Sequence, residues 1–295
     1  MTWLQVTVQS AEDQTDHIEG LLEDLGALSI TLQDAGDDPI MEPDPGTNPL
    51  WQNNLIIALF SSDNSSEAIR NLLEQQGIAA NSIEAEMIEN RDWEREWMSH
   101  FQPMHFGNRL QICPSWHTPS EPSTAAVLNL DPGLAFGTGT HPTTSLCLSW
   151  LESQNLHDQQ IIDYGCGSGI LALAALTLGA DKATGIDIDP QALEASQENA
   201  RRNQLEQRLD LYLPHQLPSL LDAGIVLANI LANPLISLAP SLAAMTTSGG
   251  KLALSGILRS QEEQVCEAYQ PFFEITDQQY MEDWALIVAT RLENT

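Results

Sequence analysis

Lysine is nearly missing from this chain: Lys182 and Lys251 are the only two among 295 residues. Eleven basic residues in all stand against 41 Asp and Glu, for a formal net charge of −30. Such a surface repels nucleic acid and anionic membranes, and it attracts a basic partner over roughly a Debye length. The same acidity also suits a proteome adapted to high salt, and charge alone does not choose between the two. Long apolar runs are lacking as well, so no segment reads as a membrane span. The opening MTWLQVTVQS has no basic-then-apolar signal pattern. Cys113, Cys147, Cys166 and Cys266 lie far apart and form no CxxC, which argues against a disulfide framework and a thiolate metal cage. These shortages set the expectation of a cytoplasmic protein with no metal site, no membrane contact and no direct nucleic-acid contact.

What is present is enough apolar material for two buried cores: 42% of the residues are hydrophobic. The stretch around which the chain is organised is Ile161 to Asp187. A short apolar run ends in Asp163, glycines follow at 165, 167 and 169, and an apolar helical run leads to a second strand that ends on Asp187. Strand, glycine turn, helix and strand with an acidic tip make the first half of a Rossmann-like nucleotide site. Glycine lets the backbone turn tightly and approach a ligand, and the acid about twenty residues on suits the two hydroxyls of a ribose.

Residues 1–90 hold 17 Asp and Glu against one Arg, Arg70, for a net of −16. Their periodicities predict strands at Trp3–Val8, Ala27–Leu32, Leu55–Phe60 and Ser82–Ile88 and helices at Thr15–Leu25 and Ser65–Gln76. This βαββαβ order is that of a ferredoxin-like α+β domain. An Asp-, Pro- and Gly-rich loop interrupts it at Asp34–Pro49. Residues 91–104 read as a helical connector on which Trp93, Trp97 and Phe101 recur every four residues, with Pro103 as the stop. Residues 105–295 then alternate strands and helices and close on two strands, Phe272–Gln279 and Trp284–Thr290. That pattern predicts an α/β domain with a mainly parallel sheet and an antiparallel last strand.

The glycine spacing GxGxG after Asp163 departs from the GxGxxG of NAD enzymes, although an NAD-dependent oxidoreductase and a non-catalytic nucleotide sensor are both compatible with the turn alone. Asp187, the Asn229 that ends the fourth strand of the series, and the closing hairpin together look like a Rossmann-like class I S-adenosylmethionine methyltransferase. The resemblance is closer still. DPGLAFGTGTHPTT, DYGCGSGILALAAL, GIDIDP and LANILANPL, after an acidic ferredoxin-like domain and a Trp-bearing connector, resemble the bacterial ribosomal protein L-eleven methyltransferases over essentially the whole chain.

That resemblance implies S-adenosyl-L-methionine as cofactor, contacted by Thr144, Gly165, Asp187 and Asn229, with Gly167 in the same turn. Asn229-Ile230-Leu231-Ala232 also loosely resembles the NPPY motif of related amine methyltransferases, keeping the Asn but lacking the prolines and the aromatic; that resemblance implies Asn229 and the Ile230 carbonyl as the acceptors of the attacking amine's hydrogens. The first domain would then recognise the substrate, a basic large-subunit ribosomal protein met free or on the ribosome, and its lysine and N-terminal amines would be methylated. His141 is a candidate proton relay, with helix capping or packing as its alternative. The loop from Phe136 to Thr140 is expected to close over the cofactor.

Overall fold

Strict alternation in TWLQVTVQSA makes Thr2–Ala11 a strand, β1, with Leu4, Val6 and Val8 buried on one face. The computed structural model describes residues 2–36, 50–89, 101–118, 125–131 and 139–293, and the chain divides into two compact units, residues 1–99 and 100–295. In the first unit β1 is followed by α1 (Glu12–Asp24), β2 (Ser29–Asp34), β3 (Asn53–Ser61), α2 (Ser66–Gln75) and β4 (Ile83–Glu89). The strands lie in the order β2-β3-β1-β4, every neighbouring pair antiparallel. Ile18 and Leu22 of α1 and Ile69 and Leu73 of α2 pack with Val6, Ile56 and Phe60 into one core on one side of the sheet. Each such buried side chain stabilises the unit by roughly 1.5–3 kcal/mol. Most of the acidic loop after Asp34, and the expected helical connector up to residue 100, lie outside the described residues; the rest of that connector is not helical, since residues 101–103 have no regular structure and Met104 opens a strand.

The second unit opens with a small three-stranded sheet, β5 (Met104–Phe106), β6 (Leu110–Cys113) and β7 (Ala126–Asn129), of which β5 is not evident from the sequence pattern. The main series follows: α3 (Pro142–Ser153), β8 (Gln160–Tyr164), α4 (Ile170–Thr177), β9 (Lys182–Ile186), α5 (Pro190–Arg202), β10 (Leu209–Tyr212), β11 (Ala223–Asn229), α6 (Ala232–Met245), β12 (Thr246–Leu258), α7 (Glu262–Tyr269), β13 (Phe273–Met281) and β14 (Trp284–Arg291). They build a seven-stranded sheet in the order β10-β9-β8-β11-β12-β14-β13. From β10 to β12 neighbours run parallel, whereas β14 is antiparallel to both β12 and β13.

The near-continuous apolar runs of β8 and β11 follow from burial on both faces. Ile161, Ile225 and Leu227 belong to one core cluster, while Ile162, Val226 and Ala228 belong to the other. Helix α4 is apolar all round because Ile170 through Leu176 are all buried. Chain direction reverses its progress across the sheet at β8: β9 and β10 lie to one side, β11 and β12 to the other. In open α/β sheets that switch, at the carboxyl ends of the strands, is where a ligand crevice forms. Pairing of Tyr164 with both Ile186 and Ala228 brings the ends of β8, β9 and β11 level on that edge.

Candidate functional site

The turn after β8 is held in shape by bonds from three directions. Gly165 and Cys166 donate their N–H groups to the Ile186 carbonyl at 2.7 and 3.0 Å. From α5, the Ser196 hydroxyl donates to the Gly167 carbonyl at 2.8 Å, and the Asn199 amide donates to the Ser168 carbonyl at 2.9 Å. The Gly167 N–H donates to Asp187 Oδ2 at 2.9 Å, and the Asp189 N–H donates to Oδ1 at 3.0 Å. Both carboxylate oxygens are therefore fixed by backbone, and the half-buried acid is oriented at the tip of β9. Immediately after it, Ile188 is 82% exposed, an unusual place for a large aliphatic side chain.

Glycine at 165 is required on two counts. Its φ is +79°, and a Cβ there would collide with Ile230 Cγ2. Gly256 of β12, at φ +82°, has the matching role on the other side, because a Cβ there would strike the Ile230 carbonyl oxygen. Ile230 is thus seated between two bare α-carbons, and its carbonyl keeps open space only because residue 256 has no side chain.

Asp163 lies beneath the turn, 1% exposed. Its Oδ2 accepts the Ala172 N–H at 3.1 Å, which supplies α4 with the cap that its N-cap residue Gly169 cannot give. Its Oδ1 is buried without a hydrogen-bond partner. Burial pushes this carboxyl up to about 7; the Ala172 N–H opposes the shift, and the charge of Asp187 adds to it.

Asn229, at the end of β11, donates its side-chain amide to the Thr144 hydroxyl at 3.2 Å. Thr144 is fully buried in the first turn of α3. That turn is tied to the sheet through Ser255, whose hydroxyl reaches the Thr143 carbonyl at 3.2 Å and the Ala285 carbonyl at 3.3 Å. His141 is the N-cap of α3: its Nδ1 accepts the Thr143 N–H at 3.3 Å, and its ring meets Trp284 edge-on at 5.0 Å. Burial lowers its pKa below the usual imidazole value, which favours the neutral, accepting form that a cap needs. The cap expected at 141 is present, and the same Nδ1 lies 2.7 Å from the Thr143 hydroxyl.

Thr144, Gly165, Gly167, Asp187 and Asn229 therefore fall in two bonded groups, Gly167 with Asp187 and Thr144 with Asn229, and Gly165 and Asn229 meet through Ile230. Sequence reasoning missed Ser196 and Asn199. Their signal is faint but present: two polar residues three apart on the buried face of a helix whose other buried members are alanines. Residues 132–138 of the glycine-rich loop, and with them 136–138 of the expected lid, lie outside the described residues; of its remaining two, Gly139 is buried and its carbonyl accepts the Ser145 hydroxyl at 2.9 Å, while Thr140 is exposed.

A parallel sheet with a glycine turn at its switch point, an oriented acid after the second strand of the series and an asparagine ending the fourth defines a class I methyltransferase fold. The chain belongs to the Ribosomal protein L11 methyltransferase (PrmA) family, whose sequence profile matches residues 2–292. It is 60% identical over 292 residues to the ribosomal protein L11 methyltransferase of Hahella chejuensis, with 99% of each chain covered. It is 52% identical to the protein of that name from Marinobacter nauticus, again with 99% of each chain covered. Among solved structures, the ribosomal protein L11 methylase of Lactobacillus delbrueckii subsp. bulgaricus superposes with a TM-score of 0.59 at 28% identity, covering 65% of this chain and 99% of that one. Family membership removes the dinucleotide oxidoreductase and the non-catalytic sensor as readings of the glycine turn.

Proposed function

We propose that this chain transfers methyl groups from S-adenosyl-L-methionine to lysine and N-terminal amines of the large-subunit ribosomal protein eleven. The observation that carries the reading is the union of two motifs at one sheet edge: the backbone-held Asp187 on the glycine turn, and the Asn229–Thr144 pair beside it. The cofactor fits the residues present. Asp187 offers a fixed carboxylate to the ribose hydroxyls, the exposed Ile188 offers an apolar platform for the adenine base, and the bare Gly165 lets the chain pass under the methionine portion.

When bound, the cofactor supplies an electrophilic methyl on a sulfonium. The protein's part is to align a neutral amine with it, because displacement is in line. Deprotonating a lysine of pKa about 10.4 at pH 7 costs about 4.6 kcal/mol, and an α-amine of pKa about 8 costs about 1.4 kcal/mol. Burial beside a fixed positive charge lowers both costs, so no strong base is required. Asn229 accepts an amine hydrogen on Oδ1 while its NH2 end is held by Thr144, and the Ile230 carbonyl accepts another.

The first unit is read as a ferredoxin-like substrate-recognition module, supported by its βαββαβ order and by strands that lie β4-β1-β3-β2. The acidity of the chain suits a basic substrate in the cytoplasm. Incubation with methyl-labelled cofactor and total ribosomal proteins tests the reading. One labelled protein, identified by its mass as large-subunit protein eleven, is the expected result, and label on nucleic acid or on no protein contradicts it.

A further inference from the structure

We propose that the β-bulge of β12 at Ser255 and Gly256 positions the two acceptors of the attacking amine: Asn229 through the first turn of α3, and the Ile230 carbonyl by leaving it room. The inference rests on the functional reading above and makes Ser255 and Gly256 positioning residues, which act through their neighbours rather than on the substrate.

The register of the sheet locates the bulge. On the β11 side pairing is regular there, with Ala228 opposite Leu254 and Asn229 opposite Ser255. On the β14 side Leu254 faces Ile287 and Ile257 faces Ala285, so Ser255 and Gly256 together stand against Leu286 alone. One inserted residue breaks the alternation of faces. Leu254 and Ile257, three apart, accordingly lie in the same core cluster, with Ala253 in the other. The irregularity therefore sits at the level of Asn229, on the strand beside it. Bulges gather next to active sites because they re-aim side chains, and a glycine inside a strand weakens it and marks a place where another backbone approaches closely.

The two residues act differently. Ser255 is fully buried, and its single hydroxyl hydrogen lies within reach of two carbonyls, Thr143 at 3.2 Å and Ala285 at 3.3 Å. That hydroxyl ties the first turn of α3 to β12 and β14, and the next residue of the turn, Thr144, holds the Asn229 amide at 3.2 Å. Gly256, at φ +82°, presents a bare α-carbon to Ile230; a Cβ would strike the carbonyl oxygen and stand 2.8 Å from the carbonyl carbon. A neutral amine has two hydrogens and one lone pair. Two acceptors at a fixed separation hold the hydrogens and leave the lone pair in line with the methyl, and a misplacement of about 1 Å costs on the order of 10²-fold in rate. Asn229 Oδ1 and the Ile230 carbonyl are neighbours in the chain, yet their separation depends on the asparagine side-chain torsions and on the tilt of the peptide after Ile230. Ser255 constrains the first and Gly256 permits the second.

The test is a set of initial-rate measurements on unmethylated large-subunit protein eleven at saturating S-adenosyl-L-methionine, with melting midpoints and calorimetric affinity for S-adenosylhomocysteine beside them. Ser255→Ala should lower kcat about tenfold and leave KM for the ribosomal protein within about twofold. Thr144→Val lowers kcat by a similar factor, and adding Ser255→Ala to it should cost no more than about twofold further, because the two act on Asn229 in series. Gly256→Ala should lower kcat at least tenfold. Gly249→Ala, on the same strand at φ +71° with nothing within 4 Å of its Cβ, should keep kcat and lose only melting temperature. Losses that multiply to about a hundredfold in the double variant overturn the inference, because Ser255 would then act independently of Thr144. So does wild-type kcat in Ser255→Ala, or a kcat in Gly249→Ala as low as in Gly256→Ala, since backbone strain would then suffice. A fall in kcat accompanied by a matching rise in KM and a lower melting midpoint marks a merely structural role and also overturns it. If Gly256→Ala does not fold, the Ser255 and Thr144 cycle decides alone. Wild-type protein that binds S-adenosylhomocysteine but methylates no ribosomal protein defeats the functional reading and the role of the bulge with it. An active wild type with unaffected variants defeats the bulge alone.

Discussion

The carboxamide of Asn229 donates to the hydroxyl of Thr144 at 3.2 Å, joining the end of β11 to the first turn of α3 across 85 residues of sequence. In this arrangement the NH2 is engaged by a fully buried hydroxyl, which leaves Oδ1 as the accepting end that the proposed function assigns to the attacking amine. Replacing Asn229 with Ala should lower methyl transfer by at least 10²-fold, with a melting midpoint within a few degrees of wild type. Thr144→Val, which keeps shape and removes the hydroxyl, should reduce kcat about tenfold and weaken cofactor affinity as well, as expected of a cofactor contact. Single-turnover rates with labelled cofactor measure both, and wild-type rates in Asn229→Ala would remove it from the mechanism.

Gly165→Ala places a methyl against Ile230 Cγ2 at a backbone φ of +79°. The cost of the left-handed conformation alone is on the order of 1 kcal/mol, and displacement of Ile230 adds to it. Because Ile230 follows Asn229, the variant should lose cofactor affinity and turnover together, read by titration calorimetry and initial rates. Gly179→Ala, where a Cβ meets nothing within 4 Å, is the control: it should cost stability only.

Asp163 gives the protein a pH dependence of unusual sign. Its folded pKa of about 7 lies above the ordinary aspartate value of 3.8, so between those values the folded chain holds a proton that the unfolded chain has released. Stability from this group is complete below about pH 4 and is lost as pH rises through 7. The full effect is on the order of 4 kcal/mol. Asp163→Asn removes the titration. Relative to wild type, its melting midpoint should rise steadily from pH 5 to pH 8, whereas a constant difference between the two would show that Asp163 is ionised throughout.

If the acidic first unit recruits its substrate by charge, the apparent KM for the ribosomal protein should rise several-fold between 50 mM and 500 mM salt while kcat holds. Initial rates at fixed, saturating cofactor measure this. A flat response would leave adaptation to high salt as the account of the net charge.

The parts of the site that were legible in the sequence are those whose residues are neighbours in the chain. Gly165, Gly167 and Asp187 belong to one strand–turn–helix–strand unit, and Asn229 follows an apolar run whose end is plain. The βαββαβ order of the first unit was legible for the same reason, since period-two and period-3.6 patterns are local. Contacts made at long range left little trace. The packing of Ile230 between Gly165 and Gly256 joins three separate segments, and nothing in the letters marks Gly256 as different from Gly249. Ser196 and Asn199 carry only the faint signal of two polar residues three apart among alanines of α5, and the glycine-turn carbonyls that they hold are 29 and 31 residues away in the chain. The short strand Met104–Phe106 has too few residues to show a period. His141 is ambiguous by letter alone, because capping and proton relay call for the same side chain; the structure shows the capping bond to the Thr143 N–H.

On the proposed function, Asp187, oriented by the Gly167 and Asp189 N–H groups, holds the ribose of a methyl-donating nucleoside. Calorimetric titration of the wild-type protein and of Asp187→Ala with S-adenosyl-L-methionine tests it most directly. The expected result is one site per chain for wild type and a dissociation constant at least tenfold weaker for the variant, with both proteins equally folded by circular dichroism. No binding heat with wild type, or identical affinity in the two proteins, would contradict it.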